Sequence, residues 1–249
     1  MRNLIRAELL RLRTTRATYG WAAAVPIALV LVIATAIDAA GDGGQAALAT
    51  SEGIRHVLAA AASATSATSV LGILAMTGEY RHNTATATFL VTPDRGRVVA
   101  ARLAALAVVG LVIAVAAELL TLAIALPWMA AKGVHVDLLS GDIGLVFAGA
   151  LLATVLYGAV GVGLGAVIGS QTAAVALSFA WAAVIEGALG NLVPAVGRWL
   201  PGGAAGGLTF QATPNGGLLP MWAGGLLLAA YGLAFALVGT RFVVRRDVT

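Results

Sequence analysis

The sequence predicts an all-α integral membrane protein with six transmembrane helices, and three observations lead there. The first is composition. Of 249 residues, 60% are hydrophobic and 10% are charged, and the mean hydropathy is +0.94. An average soluble domain is about 45–50% apolar and about 25% charged. Fifteen Lys and Arg with eleven Asp and Glu cannot clothe a water-soluble surface of this size. The second observation is that the apolar residues fall into runs long enough to cross a bilayer, which takes roughly 17–25 residues. The third is the placement of the basic residues, which lie in three clusters: Arg2, Arg6, Arg11, Arg13 and Arg16; Arg81, Arg95, Arg97 and Arg102; Arg241, Arg245 and Arg246. The apolar content excludes a disordered chain. The absence of cysteine excludes a disulfide scaffold. Continuous apolar runs exclude a membrane β-barrel, whose strands alternate.

Residues 1–17 open the chain with five Arg, and 3–16 reads as an amphipathic interfacial helix. Ile5, Leu9 and Leu12 share one face, with Arg2, Arg6 and Arg13 on a neighbouring one. Such a helix lies at headgroup level with its Arg toward anionic lipid. The stretch is too long and too amphipathic for the basic region of a cleaved signal peptide. The first span follows at 20–37. The second, at 56–77, is rich in Ala, Ser and Thr rather than Leu. The third, at 103–127, is interrupted only by Glu118. The fourth, at 143–168, carries no charge, the fifth, at 172–191, holds Glu186 near its end, and the sixth, at 218–239, is again uncharged. The whole of 1–249 reads as one transmembrane domain.

Six spans place both termini on one side, together with all three Arg clusters. Cytoplasmic segments carry excess Lys and Arg, so both termini are expected in the cytoplasm and the protein in the cell membrane. The high pI of 10.1 comes without an aromatic-rich basic module, so no nucleic-acid partner is expected.

Between the second and third spans, 78–97 is the most polar stretch. Pro93-Asp94-Arg95-Gly96 suits a turn. The Thr/Ala alternation at 84–88 has the period of a short strand, but a lone strand has nothing to pair with, and a short helix docked on a partner fits at least as well. A basic loop that merely obeys the charge bias is the plainer reading.

Two segments resemble a known family. Ala7-Glu8-Leu9-Leu10-Arg11-Leu12-Arg13-Thr14-Thr15-Arg16 resembles the start of the small permease subunits of type-2 ABC exporters. Gly78-Glu79-Tyr80-Arg81-His82, continuing through Thr84, Thr88-Phe89-Leu90-Val91-Thr92-Pro93 and Arg95-Gly96-Arg97-Val98, resembles their first cytoplasmic loop. The resemblance implies that 78–97 holds a coupling helix, with Glu79, Arg81 and Phe89 as contacts to the ATPase. It implies two copies of a separate ABC ATPase subunit that bind ATP and Mg, and a second permease copy or a sister permease. It also implies that spans two and five flank the cargo path, and that short extracellular helices within 193–220 close its outer gate.

That outer segment contains Pro194, Pro201, Pro214, Pro220 and a Gly-Gly-Ala-Ala-Gly-Gly run at 202–207. It is too broken to span, and a re-entrant or surface-lying cap fits it. In span two, Thr65, Ser69, Gly72 and Met76 form one stripe with Ser66 beside it. These hydroxyls either mediate close helix packing or line a polar path. Ser178 and Glu186 on span five are the matching cargo candidates. Gly161, Gly165 and Gly169 recur at four-residue spacing, which suits close packing, more simply within the subunit than between subunits. Glu118 and Glu186 both fall in the outer half of their spans. A carboxylate in hydrocarbon must face protein or water, or be protonated, so cargo contact, a proton site and plain hydrogen bonding within the bundle all stand.

No Gly-x-x-x-x-Gly-Lys-Ser/Thr segment exists, so the chain is expected to bind no ATP itself and to be no enzyme. His56, His82 and His135 are scattered, which supports no metal site. The function expected is the permease part of an ATP-driven exporter that moves a hydrophobic or amphipathic drug, peptide or lipid, in contact with membrane lipid. The alternatives are a proton-coupled secondary transporter using Glu118 or Glu186, and a membrane scaffold that transports nothing.

Overall fold

The computed structural model describes residues 2–14, 16–41, 45–81, 95–211 and 217–245. Among the described residues every regular element is helical. Helix α1 (Arg2–Thr14) precedes α2 (Arg16–Gly41) and the short α3 (Gln45–Leu48). Helix α4 (Ser51–Leu58) runs through a 3-10 segment (Ala59–Ser63) into α5 (Ala64–Arg81). Helices α6 (Arg95–Ala131) and α7 (Gly141–Ile168) are long and unbroken. Helix α8 (Gln171–Ala180) passes through a π segment (Trp181–Glu186) into α9 (Gly187–Leu192). Two short helices, α10 (Pro194–Gly197) and α11 (Pro201–Thr209), come before the last helix, α12 (Met221–Arg245).

Five stretches are long and apolar enough to cross a membrane: Ser51–Gly78, Ala100–Ala131, Gly141–Ile168, Gln171–Leu192 and Met221–Gly239. They match the second to sixth expected spans and fit a multi-pass membrane protein. Within α2 the apolar stretch Ala23–Asp38 is shorter. Two spans differ in kind from the uniform α-helices expected. The second carries a 3-10 segment and the fifth a π segment, both of which need local tertiary support because their hydrogen-bond geometry is poorer.

Helix α7 is the hub, with α5, α6 and α12 packed around it. Two apolar clusters mark its two ends. At one end Leu12 of α1 joins Leu71, Ala75, Met76, Ala105, Leu106, Val162 and Ala166. At the far end Val57, Leu58, Ala125, Met129, Ile143 and Val146 pack with Ile33 and Ile37 of α2. The helices therefore alternate in direction, as short connections between long helices require. One connection is only two residues long. Gly169 closes α7 at φ 72, a left-handed position that suits glycine, and its N–H donates to Gly165 O at 2.9 Å.

The segment after α9 is ordered by glycine contacts. Helix α10 folds back on α9, where a Cβ on Gly197 would stand 2.7 Å from Gly190 Cα. Helix α11 inserts between α7 and α12, with Leu208 buried against Ala153 and Leu228. Of 193–220, residues 212–216 lie outside the described residues. So do 82–94, which hold most of the segment expected to form a coupling helix.

Candidate functional site

Three places gather the residues singled out in the sequence. The first is the α5–α7 seam. A Cβ on Gly161 would run into Ser69 O, and one on Gly165 would meet Met76 Cβ at 3.0 Å and Ile73 O at 3.1 Å. A Cβ on Gly72 would collide with Gly158 O from the other side. The backbones touch because neither helix carries a side chain there. Thr68 ties them further, its hydroxyl donating to Thr154 O at 2.7 Å. Gly161 and Gly165 thus pack within the chain, whereas Gly169 lies at the end of the helix and serves as the cap described above. Ser69 is buried in this seam, Thr65 is half-buried beside it, and Ser66 is exposed with its hydroxyl bonded to Ser63 O at 2.8 Å.

The second place is the far end of the fifth span. Trp181 Nε1 donates to Glu186 Oε1 at 2.8 Å. Gly202 N donates to Glu186 Oε2, also at 2.8 Å. Residues five apart on an α-helix point about 140° away from each other, and the wider π winding between Trp181 and Glu186 brings them toward one side. Gly202 stands in the first turn of α11, whose own N-cap residue, Leu200, offers no side-chain bond. Glu186 supplies the missing acceptor from another helix, and its negative charge suits the positive end of the α11 dipole. Tyr231 of α12 closes the same corner, its hydroxyl donating to Trp199 O at 2.9 Å. Ser178 lies one turn back on α8, and its hydroxyl donates to Val175 O at 2.8 Å. The hydroxyls of α5 and the Glu186 carboxylate make no hydrogen bond with each other among the described residues.

The third place is the α1 end. Arg102 is buried and its Nε donates to Glu8 Oε1 at 3.1 Å, while its Nη1 lies 3.2 Å from Met76 Sδ. One residue thereby joins α1, α5 and α6. A Cβ on Gly78 would stand 2.9 Å from an Arg11 nitrogen, so α1 also covers the last turns of α5. Glu79 and Arg81 are the closing residues of α5, but their side chains and the whole of Phe89 lie outside the described residues.

The reading of Arg102 as one more topology charge is therefore corrected: it is a buried ion-pair partner. A signal for it exists in the sequence. Glu8 falls at the spacing of Ile5, Leu9 and Leu12, on the apolar face of α1, where a carboxylate needs a cation. Glu118, on α6, has one carboxylate oxygen buried without a hydrogen-bond partner. Among the described residues no group of His, Cys, Asp and Glu is placed to hold a metal ion. No protein-family model matches the chain, and no curated protein matches it.

Proposed function

We propose that the chain is the permease subunit of an ATP-driven exporter, with six spans, both termini cytoplasmic, and a coupling segment at 78–97. The observation that carries this reading is mechanical. The segment that resembles a coupling loop joins α5 to α6, and these are the two helices that Arg102 clamps to α1. Of the long apolar stretches, the one over Ser51–Gly78 is the most enclosed, 72% buried. A push delivered to the end of α5 would therefore enter the bundle through buried contacts. Packed interfaces respond to such a push by switching between arrangements. Helix α2 is the first span on this reading, α11 is a re-entrant element at the outer gate, and two permeases meet two ATPase subunits.

The test is a mild-detergent pull-down of the tagged chain from native membranes with partners identified by mass spectrometry. A near-stoichiometric subunit with a phosphate-binding loop is expected. Charge reversal at Glu79 or Arg81 should then separate ATP turnover from cargo movement. A chain that emerges alone from several detergents defeats the reading.

One observation favours the proton-coupled alternative, the unpartnered carboxylate oxygen of Glu118. That reading requires transport without ATP that follows the proton gradient and stops in Glu118→Gln.

A further inference from the structure

Glu186 is held firmly and yet left half used. A carboxylate offers about four lone-pair sites. Two are taken, by the Trp181 indole and the Gly202 backbone. Both donors are neutral groups, so neither supplies a counter-charge. The ion pairs among the described residues are Glu8 with Arg11, Glu8 with Arg102, and Arg55 with Asp142. Glu186 is in none of them. Arg198, close by in sequence, turns elsewhere: its guanidinium carbon lies 5.6 Å from the centre of the Trp199 ring, and one of its nitrogens lies near Gly217.

Capping α11 does not by itself call for a carboxylate, because any acceptor oxygen satisfies an N–H. What Glu186 adds is an ionisable carboxyl, itself half-buried, on a helix whose other face is open. Only 11% of the apolar stretch on its helix is buried, and Trp181 is 44% exposed. Leu177, Val184 and Ile185 are exposed on the same helix. The carboxylate stands six residues from the end of α9, or about 9 Å at the α-helical rise. A charge at that depth calls for a counter-charge or water. An apolar wall, an indole face and one carboxyl that is in no ion pair among the described residues together match a cation with a greasy body. The ring attracts the cation through its quadrupole, the carboxylate through charge, and the wall takes up the apolar part.

We propose that Glu186 and Trp181 form a binding site for the charged centre of an amphipathic organic cation. This deepens the exporter reading by giving its cargo a charge, and rests on that reading only for the transport step, not for binding.

The test uses the full chain purified in an uncharged detergent, with tetraphenylphosphonium as the cation and triphenylphosphine oxide as its uncharged counterpart, followed by equilibrium dialysis. The cation should bind at least tenfold more tightly than the neutral compound. Glu186→Gln keeps an oxygen for Gly202 N and should lose at least tenfold in affinity for the cation, with the neutral compound unaffected. Trp181→Leu leaves the carboxylate in place and should lose threefold or more, which keeps the site testable if Glu186→Gln does not fold. Lysophosphatidylcholine as competitor separates the sources of the ligand: displacement points to a lipid headgroup ammonium, no displacement to a free amphiphile, and either agrees with the site. Equal affinity of a folded Glu186→Gln for the cation overturns it. Tight cation binding by a chain that recruits no ATPase would sink the exporter reading and leave this site standing.

Discussion

Arg102 and Glu8 are 94 positions apart and meet at 3.1 Å, with the Arg102 side chain 1% exposed and that of Glu8 13% exposed. Removing one partner of a buried pair leaves the other charge without compensation, at a cost of about 3–5 kcal/mol, whereas replacing both by apolar groups is often close to neutral. Glu8→Ala and Arg102→Met are each expected to lower thermal stability sharply in detergent. The double variant should recover most of the loss. A double-mutant cycle in which the two losses simply add would mean that the pair does not hold α1 to the bundle.

The α5–α7 seam makes a prediction with a control on the same helix. At Gly161 an added methyl meets the backbone oxygen of Ser69, which cannot swing away. Overpacking of this kind costs about 1–3 kcal/mol. At Gly144 nothing stands within 4 Å of an added Cβ. There alanine should be neutral or stabilising, by up to about 1 kcal/mol, because glycine is a poor helix former. Thermal unfolding of Gly161→Ala and Gly144→Ala should therefore shift in opposite directions, or the first alone should fall. Equal behaviour would place the seam elsewhere.

The hydrogen bond that crosses the seam should matter less than the glycines beside it. Thr68 reaches Thr154 O at 2.7 Å. Interhelical side-chain bonds in membranes average about 0.6 kcal/mol, because the separated helices also find partners. Thr68→Val keeps the shape and should cost no more than about 1 kcal/mol in an unfolding titration. A loss several times larger would make the polar contact, and not the close backbone approach, the seam's main support.

These predictions also show where the sequence is readable. Five of the six expected spans are legible because apolar runs are a property of composition; at the first, the apolar stretch Ala23–Asp38 is shorter. The stripe of Thr65, Ser69, Gly72 and Met76 was legible because a helix repeats its faces regularly, and Ser69, Gly72 and Met76 do lie in the seam against Gly158, Gly161 and Gly165. The equal spacing of Gly169 suggested a third packing glycine. The helix ends there, and backbone conformation, not the interval, sets its role. The 3-10 segment at Ala59–Ser63 and the π segment at Trp181–Glu186 left no pattern, since neighbouring helices and not local residues decide the winding. The Glu186 cradle was hidden for a related reason. Its donor, Gly202, is a backbone N–H in a glycine run, and any residue type but proline carries that group.

Glu118 separates stability from function. One of its oxygens is buried in α6 with no partner, and a polar atom left so costs about 1–3 kcal/mol. Glu118→Leu removes the polar group and keeps comparable bulk. It should raise the unfolding temperature in detergent, by an amount equivalent to about 1 kcal/mol. If the chain is an ATP-driven permease, ATP-dependent cargo movement in vesicles should survive the change. If the carboxyl carries a proton for a secondary transporter, the variant should be stabler and inactive, because the group that burdens the fold is then the group that does the work. A variant that is both less stable and inactive would reveal a partner for Glu118 and remove it from the list of proton sites.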